Sequence, residues 1–485
     1  MQCNNAIRAL LLSLLLFNLP IKAEDSNKFD LPDMGDSTGT LISPAEEMQL
    51  GEAFFRSLHS RIAINEDPEI QQYIESIGKR LVANSDAPGN PFHFFVVLDK
   101  SINAFAGPGG YIGINSGLLI TTEAESELAS VLAHEIAHVT QRHLYRAFEA
   151  ASQLSLPTAA AMLAAILLGT QNPELGLAAL TAIQAGSVQF QIDFTRDNEQ
   201  EADRIGMQTL VQSNLDPRSM PIFFERLQQS SRYYGKGIPE FLRTHPVTAS
   251  RISDTRGRAD KFPYRQYPDS MDYLLTKAKL RVITMNNYAD VLRYFSILKN
   301  QGTKEQRAVA RYGLGLLAIK KQHFAEAEAI FKTLIDEYPT QSQYAVAFAK
   351  SALDQRNYET ALTRFKLAKQ KFPRDSAIKI EYIKTLLKSG YPQRAYRELD
   401  RFNQSEKYLP IHYQLLAEIY SELKQDAKSH RYTAEYYYAA GNTQQAITQI
   451  KLAQKSADLN FYLAAILDER LNYFITEEKI RKRDQ

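Results

Sequence analysis

"VLAHEIAHVT", residues 131–140, carries two histidines four positions apart, with a glutamate directly after the first. At about 100° per residue in an α-helix, His134 and His138 lie about 40° apart on one face. Two imidazoles so placed can grip one metal ion. Glu135 stands beside them, able to take a proton from a water that the ion activates. A surface helix with incidental histidines has the same local pattern, so the rest of the chain must decide between the two.

A catalytic zinc needs a third protein ligand and an open position. If the helix runs from about Glu123 to Glu149, His143 lies on the far side, about 180° from His134, and reads as a solvated or capping histidine. "NEQEAD" at 198–203 offers more. Glu199 and Asp203 are four apart and share a helix face, whereas Glu201 lies about 200° from Glu199. One of the two carboxylates can ligate while the other orients a ligand histidine.

Around these helices the signals are mixed. "SPAEE" at 43–47 is a helix start, with a cap, a proline and then acids. "PFHFFVVLD" at 91–99 reads as a strand, and "AFAGPGGYIGINSGLL" at 104–119 as a second strand, Tyr111–Asn115, leading into a helix. Two apolar segments within 154–190 read as a buried helical hairpin, with a lid or a membrane-touching element as the sharper alternative. "KFPYRQYPDS" at 261–270 reads as a linker.

Beyond residue 270 the chain is helical and periodic. Pro339 and Pro373 stand 34 apart, as do Ala327 and Ala361, with Ala395 continuing the series, and Phe331 and Phe365. Gly315 and Ala349 hold a small-residue position at the same spacing. These features resemble tetratricopeptide (TPR) repeats, in which paired helices stack into a solenoid. The echo is clear in two repeats and fades near Ala395, Ala427 and Ala446.

The first 23 residues have a different character. Arg8 precedes the apolar run Ala9–Leu15, followed by Pro20 and Ala23, the order of a cleavable secretory signal. The lone cysteine, Cys3, falls within it, so the processed chain would rely on its core without disulfides. Removing Arg8 and Lys22 takes the 57 basic residues to 55, equal to the 55 acidic ones. That balance, without a basic patch, argues against a nucleic-acid partner.

"HEIAH", "NEQEAD" and "THPVTASR" (244–251), preceded by "NAFAGPGG" (103–110), resemble the HtpX and CAAX-prenyl-protease family of zinc peptidases. The resemblance implies a gluzincin-type metallopeptidase domain, helices with a small β-sheet, over 24–265, and a mostly α chain overall. The TPR-like helical domain follows over 270–485. It implies one zinc ion per chain held by His134, His138 and Glu199, with Asp203 behind them and Glu135 as the base. His245 falls on the family's histidine before proline, and either donates to the developing oxyanion or stands as a fourth ligand in a closed state. Arg251 would position this loop or its carboxylate neighbours. Substrate is expected as an extended chain beside an edge strand, for which Tyr111, Ile112, Gly113, Ile114 and Asn115 are the candidates. The leader and repeats together point to a periplasmic peptidase and chaperone-like factor. The resemblance points to unfolded outer-membrane β-barrel proteins as its clients and to their assembly machinery as its partner. The alternative is an assembly scaffold with a closed site.

Overall fold

A computed structural model describes residues 43–144, 196–233, 239–403 and 410–483; the expected leader and the apolar segments of 154–190 lie outside them. The chain is mostly helical with one small sheet. Helix α1 (Pro44–His59) opens on a capping box in which Ser43 accepts from the Glu46 N–H and the Glu46 carboxylate accepts from the Ser43 N–H. Asp67 caps α2 (Pro68–Val82). Three strands follow, β1 (His93–Val97), β2 (Ala104–Ala106) and β3 (Tyr111–Asn115).

The strand order is β1-β3-β2, with β1 parallel to β3 and β2 antiparallel to it. Tyr111–Asn115 is therefore a strand but not an edge, and its backbone is paired on both sides. This corrects the expectation that it receives substrate. The sequence shows each strand's alternation but not which neighbour returns to pair with it. Gly109 and Gly110 take φ of 67° and 74° in the turn between β2 and β3, a conformation that favours glycine.

Helices α3 (Ser116–Thr121), α4 (Glu125–Thr140), α5 (Arg196–Gln212), α6 (Ser219–Tyr233), α7 (Glu240–Thr244) and α8 (Ala249–Ala259) complete this half. Ile74, Ile112, Leu128, Leu132, Phe223 and Phe241 are central to its core. Helix α4 stops at Thr140, short of the expected end near Glu149, and Arg142, with φ 54°, breaks the helical path.

The repeat half comprises α9 (Met271–Thr284), α10 (Tyr288–Gln301), α11 (Lys304–Lys320), α12 (Phe324–Glu337), α13 (Ser342–Asp354), α14 (Tyr358–Lys371), α15 (Ser376–Lys388) and α16 (Pro392–Asn403). It ends with α17 (Pro410–Glu422), α18 (Asp426–Ala439), α19 (Thr443–Ala453) and α20 (Phe461–Arg483). Helices α12, α14, α16 and α18 begin 34 residues apart, as do α13, α15 and α17. The turns keep the same period. Gln322, Arg356, Gly390 and Lys424 all have positive φ. The next N–H in each case donates to the carbonyl five residues back, at 2.8–2.9 Å. That bond is the mark of a Schellman helix end. Ala327, Ala361 and Ala395 are buried, as are Phe331, Phe365 and Leu399. The third repeat thus keeps the packing site and replaces its aromatic with leucine, which is why the sequence echo fades there.

Helix α9, directly after the expected linker, belongs to both halves. Tyr273 and Leu280 enter the core around the sheet, while Leu275, Ala278 and Val282 enter the first repeat core. The far end of the repeats returns to α1, where Arg56 pairs with Glu477 at 2.9 Å and lies over the Tyr438 ring at 4.4 Å. Between the halves is a cavity of about 760 Å³, bordered by Phe55, His93 and Tyr111 on one side and Phe402, Tyr438 and Arg470 on the other. No helix among the described residues is long and apolar enough to cross a membrane.

Candidate metal centre

The site is built where α4 meets α5. Ala137 and Ala202 pack at this contact, and a Cβ added to Gly206 would stand 3.0 Å from the His134 backbone nitrogen. Such close approach sets Glu199 and Asp203 of α5 against His134 and His138 of α4. The fourth side chain comes from the turn after α7, where the His245 N–H closes on the Phe241 carbonyl at 2.8 Å. The Phe241 ring stacks on the imidazole, centroids 4.9 Å apart.

His134, His138, Glu199 and His245 are all buried, and one ligating atom from each lies within 4.8 Å of every other. His134 Nε2 is 3.0 Å from His138 Nε2 and 3.4 Å from His245 Nδ1. Glu199 Oε1 lies 3.0 Å from His245 Nδ1 and 3.4 Å from His138 Nε2. A tetrahedral ion with bonds of about 2.0–2.1 Å holds its ligand atoms about 3.3 Å apart, so these separations fit one. Charge fits as well. Glu135, Glu199 and Asp203 place three buried carboxylates beside the Arg251 guanidinium; without an ion the His134 proton offsets part of their charge, and a divalent cation bound there would take over that role.

Each group's protonation follows from its neighbours. Burial alone would raise the Glu199 carboxyl, but His245, His134 and His138 around it hold it well below its ordinary range. Burial drives the His138 imidazole well below its ordinary value and keeps it neutral. At His134, burial is outweighed by Asp203 and Glu199, which lift it to about 9. Burial raises the Glu135 carboxyl toward the range useful to a general base.

Arg251 holds the carboxylates. Its Nε and Nη2 each donate to Asp203 at 2.7 Å, and Nη1 lies 2.6 Å from Glu199 Oε2 and donates to the Pro246 carbonyl at 2.9 Å. Asp203 in turn stands 2.9 Å from His134 Nδ1. Glu135 is reached from two sides: His245 Nε2 is 3.4 Å from its Oε1, and the Ala106 backbone on β2 hydrogen-bonds the carboxylate. The fold thus gathers His134, Glu135, His138, Glu199, Asp203, His245 and Arg251 into one site. It leaves Tyr111 at the cavity between the halves instead.

His143 corrects the sequence reading. It is buried, 1% exposed, with Nδ1 2.9 Å from His138 Nδ1. The wheel angle that put it on the far side assumes a continuing helix, and nothing in "QRH" signals the reversal at Arg142.

The description of peptidase family M48 matches residues 68–259. The Beta-barrel assembly-enhancing protease of Escherichia coli (strain K12) is 36% identical over 444 residues, 91% of this chain and 90% of its own. The chain belongs to peptidase family M48. A Putative beta-barrel assembly-enhancing protease of Vibrio cholerae is 34% identical over 462 residues, 95% of each chain. Mitochondrial metalloendopeptidase OMA1 of Schizosaccharomyces pombe is 30% identical over 181 residues, 37% of this chain and 50% of its own. The two helices and the loop that carry His134, His138, Glu199 and His245 lie inside the matched segment, and the repeats lie outside it. As an M48 member the chain is a metallopeptidase.

Proposed function

We propose that the chain is an exported zinc endopeptidase with TPR repeats that cleaves unfolded or stalled outer-membrane β-barrel proteins in the periplasm and engages their assembly machinery. The observation that carries the peptidase reading is the convergence of His134, His138, Glu199 and His245 beside Glu135. The client class rests on the printed names of the full-length relatives. Zinc supplies Lewis acidity that activates water and polarises the scissile carbonyl. His134, His138 and Glu199 hold it, Asp203 fixes the His134 tautomer, and Arg251 holds Asp203, Glu199 and the 245–246 turn in place. Glu135 takes the proton from the attacking water and delivers it to the leaving amine.

In support of a fourth-ligand role, His245 Nδ1 lies 3.0 Å from Glu199 and its Nε2 3.4 Å from Glu135. We read this as a closed resting state, opened when the turn before Pro246 moves. An extended client backbone then lies along β2, an outer strand of the sheet whose Ala106 already touches Glu135. The cavity between the halves gives the repeats a place to hold a client beside the peptidase. The closed position of His245 also favours a second reading, a scaffold whose peptidase site stays shut.

Metal content and cleavage of a loosely folded protein, compared among wild type, Glu135→Gln and His245→Ala, test these readings. Bound zinc, cleavage lost in Glu135→Gln and cleavage raised in His245→Ala are expected. Equal activity in wild type and Glu135→Gln supports the scaffold, and unchanged cleavage in His245→Ala removes the plug.

A further inference from the structure

We propose that His143, backed by Glu201, is a positioning residue that fixes the tautomer of His138 and aims its Nε2 lone pair at the metal. The proposal rests on the metal-site reading above.

The reversal after α4 builds the contact. The Gln141 N–H closes on the Ala137 carbonyl at 2.9 Å and the Arg142 N–H on the Val139 carbonyl at 3.0 Å. With Arg142 in the left-handed region, the chain folds back and sets His143 against His138. Their rings cross at 74° with centroids 4.9 Å apart, and their Nδ1 atoms are 2.9 Å apart. The other ring nitrogen of His143, Nε2, lies 3.2 Å from Glu201 Oε2.

These contacts fit one arrangement of the protons. An ionised carboxylate only accepts, so His143 Nε2–H donates to Glu201. The Nδ1 of a neutral His143 then carries a lone pair and accepts from His138 Nδ1–H. His138 Nε2 is left unprotonated, and this is the atom that faces His134 and Glu199 at 3.0 and 3.4 Å. A metal-binding histidine is ordinarily oriented by such a bond from its other nitrogen, most often to a carboxylate, a carbonyl or water.

The two ligand histidines are thereby held by unlike partners. His134 leans on Asp203, a charged group clamped by Arg251. His138 leans on the His143 imidazole, whose supporting carboxylate is 33% exposed. Glu201, set aside when only helix faces are considered, gains its place through His143 rather than through the ion.

The test uses the full chain. Zinc affinity is read by competition with a chromophoric chelator, and ligand geometry by visible absorption of the Co²⁺-substituted protein. His143→Leu is expected to weaken zinc binding about 10–100-fold and to alter the Co²⁺ bands. His143→Asn, whose side-chain oxygen stands near the place of Nδ1 and can still accept from His138, is expected to recover most of the loss. A smaller loss is expected for Glu201→Gln, because water reaches that side. Wild-type affinity and bands in His143→Leu, or no recovery in His143→Asn, overturn the proposal. If His143→Leu does not fold, Glu201→Leu decides in its place, with wild-type affinity and bands overturning it. A wild-type chain that binds no zinc refutes the metal-site reading itself, whereas variants equal to a zinc-binding wild type refute only the role of His143.

Discussion

Glu135 and Arg251 serve one site, and yet their removal should read out differently. Glu135→Gln keeps the shape and supplies no base, so proteolysis should fall by about 10²–10⁴-fold while metal content stays at the wild-type level. Arg251→Met leaves Asp203 and Glu199 buried without their shared guanidinium partner. Breaking a buried pair on one side costs about 3–5 kcal/mol, so the metal-free protein should lose about that much stability in urea unfolding. Added zinc should narrow the loss, because a dication offsets part of the same surplus charge. A loss that zinc does not change would mean that Arg251 stabilises the 245–246 turn more than it balances charge.

Among the elements, the helix pair α4–α5 and the repeat turns depend on backbone geometry. Gly206→Ala forces a methyl against the His134 backbone, so it should push α5 away and weaken metal binding more than it lowers the melting temperature. Chelator competition beside thermal unfolding separates the two effects. In the repeats, Arg356 holds a left-handed turn position that glycine fills at Gly390. Left-handed backbone is costly for side-chain-bearing residues, and glycine returns part of that gain as chain entropy. Arg356→Gly should therefore stabilise the protein by about 0.5–1 kcal/mol in denaturant titration. No change would show that the Arg356 side chain contributes contacts of equal size.

At the scale of the whole molecule, a buried ion cluster joins the halves. Lys279 of α9 lies 2.6 Å from Asp67 and also pairs with Glu69 of α2. Burial, together with the Asp67 charge and against the pull of Lys279, pushes the Glu69 carboxyl up to about 7 from its ordinary 4.5. A carboxyl raised on folding holds its proton more tightly in the native state than in the unfolded chain. Its contribution to stability is complete below pH 4.5 and is lost as pH rises through about 7. Glu69→Gln should flatten unfolding free energy across that window. Lys279→Met should instead destabilise the chain at pH 8, where both carboxylates are charged and left without their lysine. If Glu69→Gln keeps the wild-type pH slope, another group titrates there.

The sequence by itself determined the local chemistry and the local periods. Four-residue spacing placed His134 with His138 and Glu199 with Asp203 because a helix turns by a fixed angle. A 34-residue echo marked the repeats because each helix pair reuses one packing site at Ala327, Ala361 and Ala395. Only the tertiary structure decided what those faces meet. Pairing with β1 on one side and β2 on the other put Tyr111–Asn115 in the middle of the sheet, since alternation along a strand does not name its partners. The reversal at Arg142 brought His143 to His138, because a single backbone angle in a residue with no turn preference undid the helical wheel. Close packing at Gly206 and the return of the turn at His245 then joined three separate segments into one buried site, a juxtaposition that distance in space, and not distance in sequence, controls.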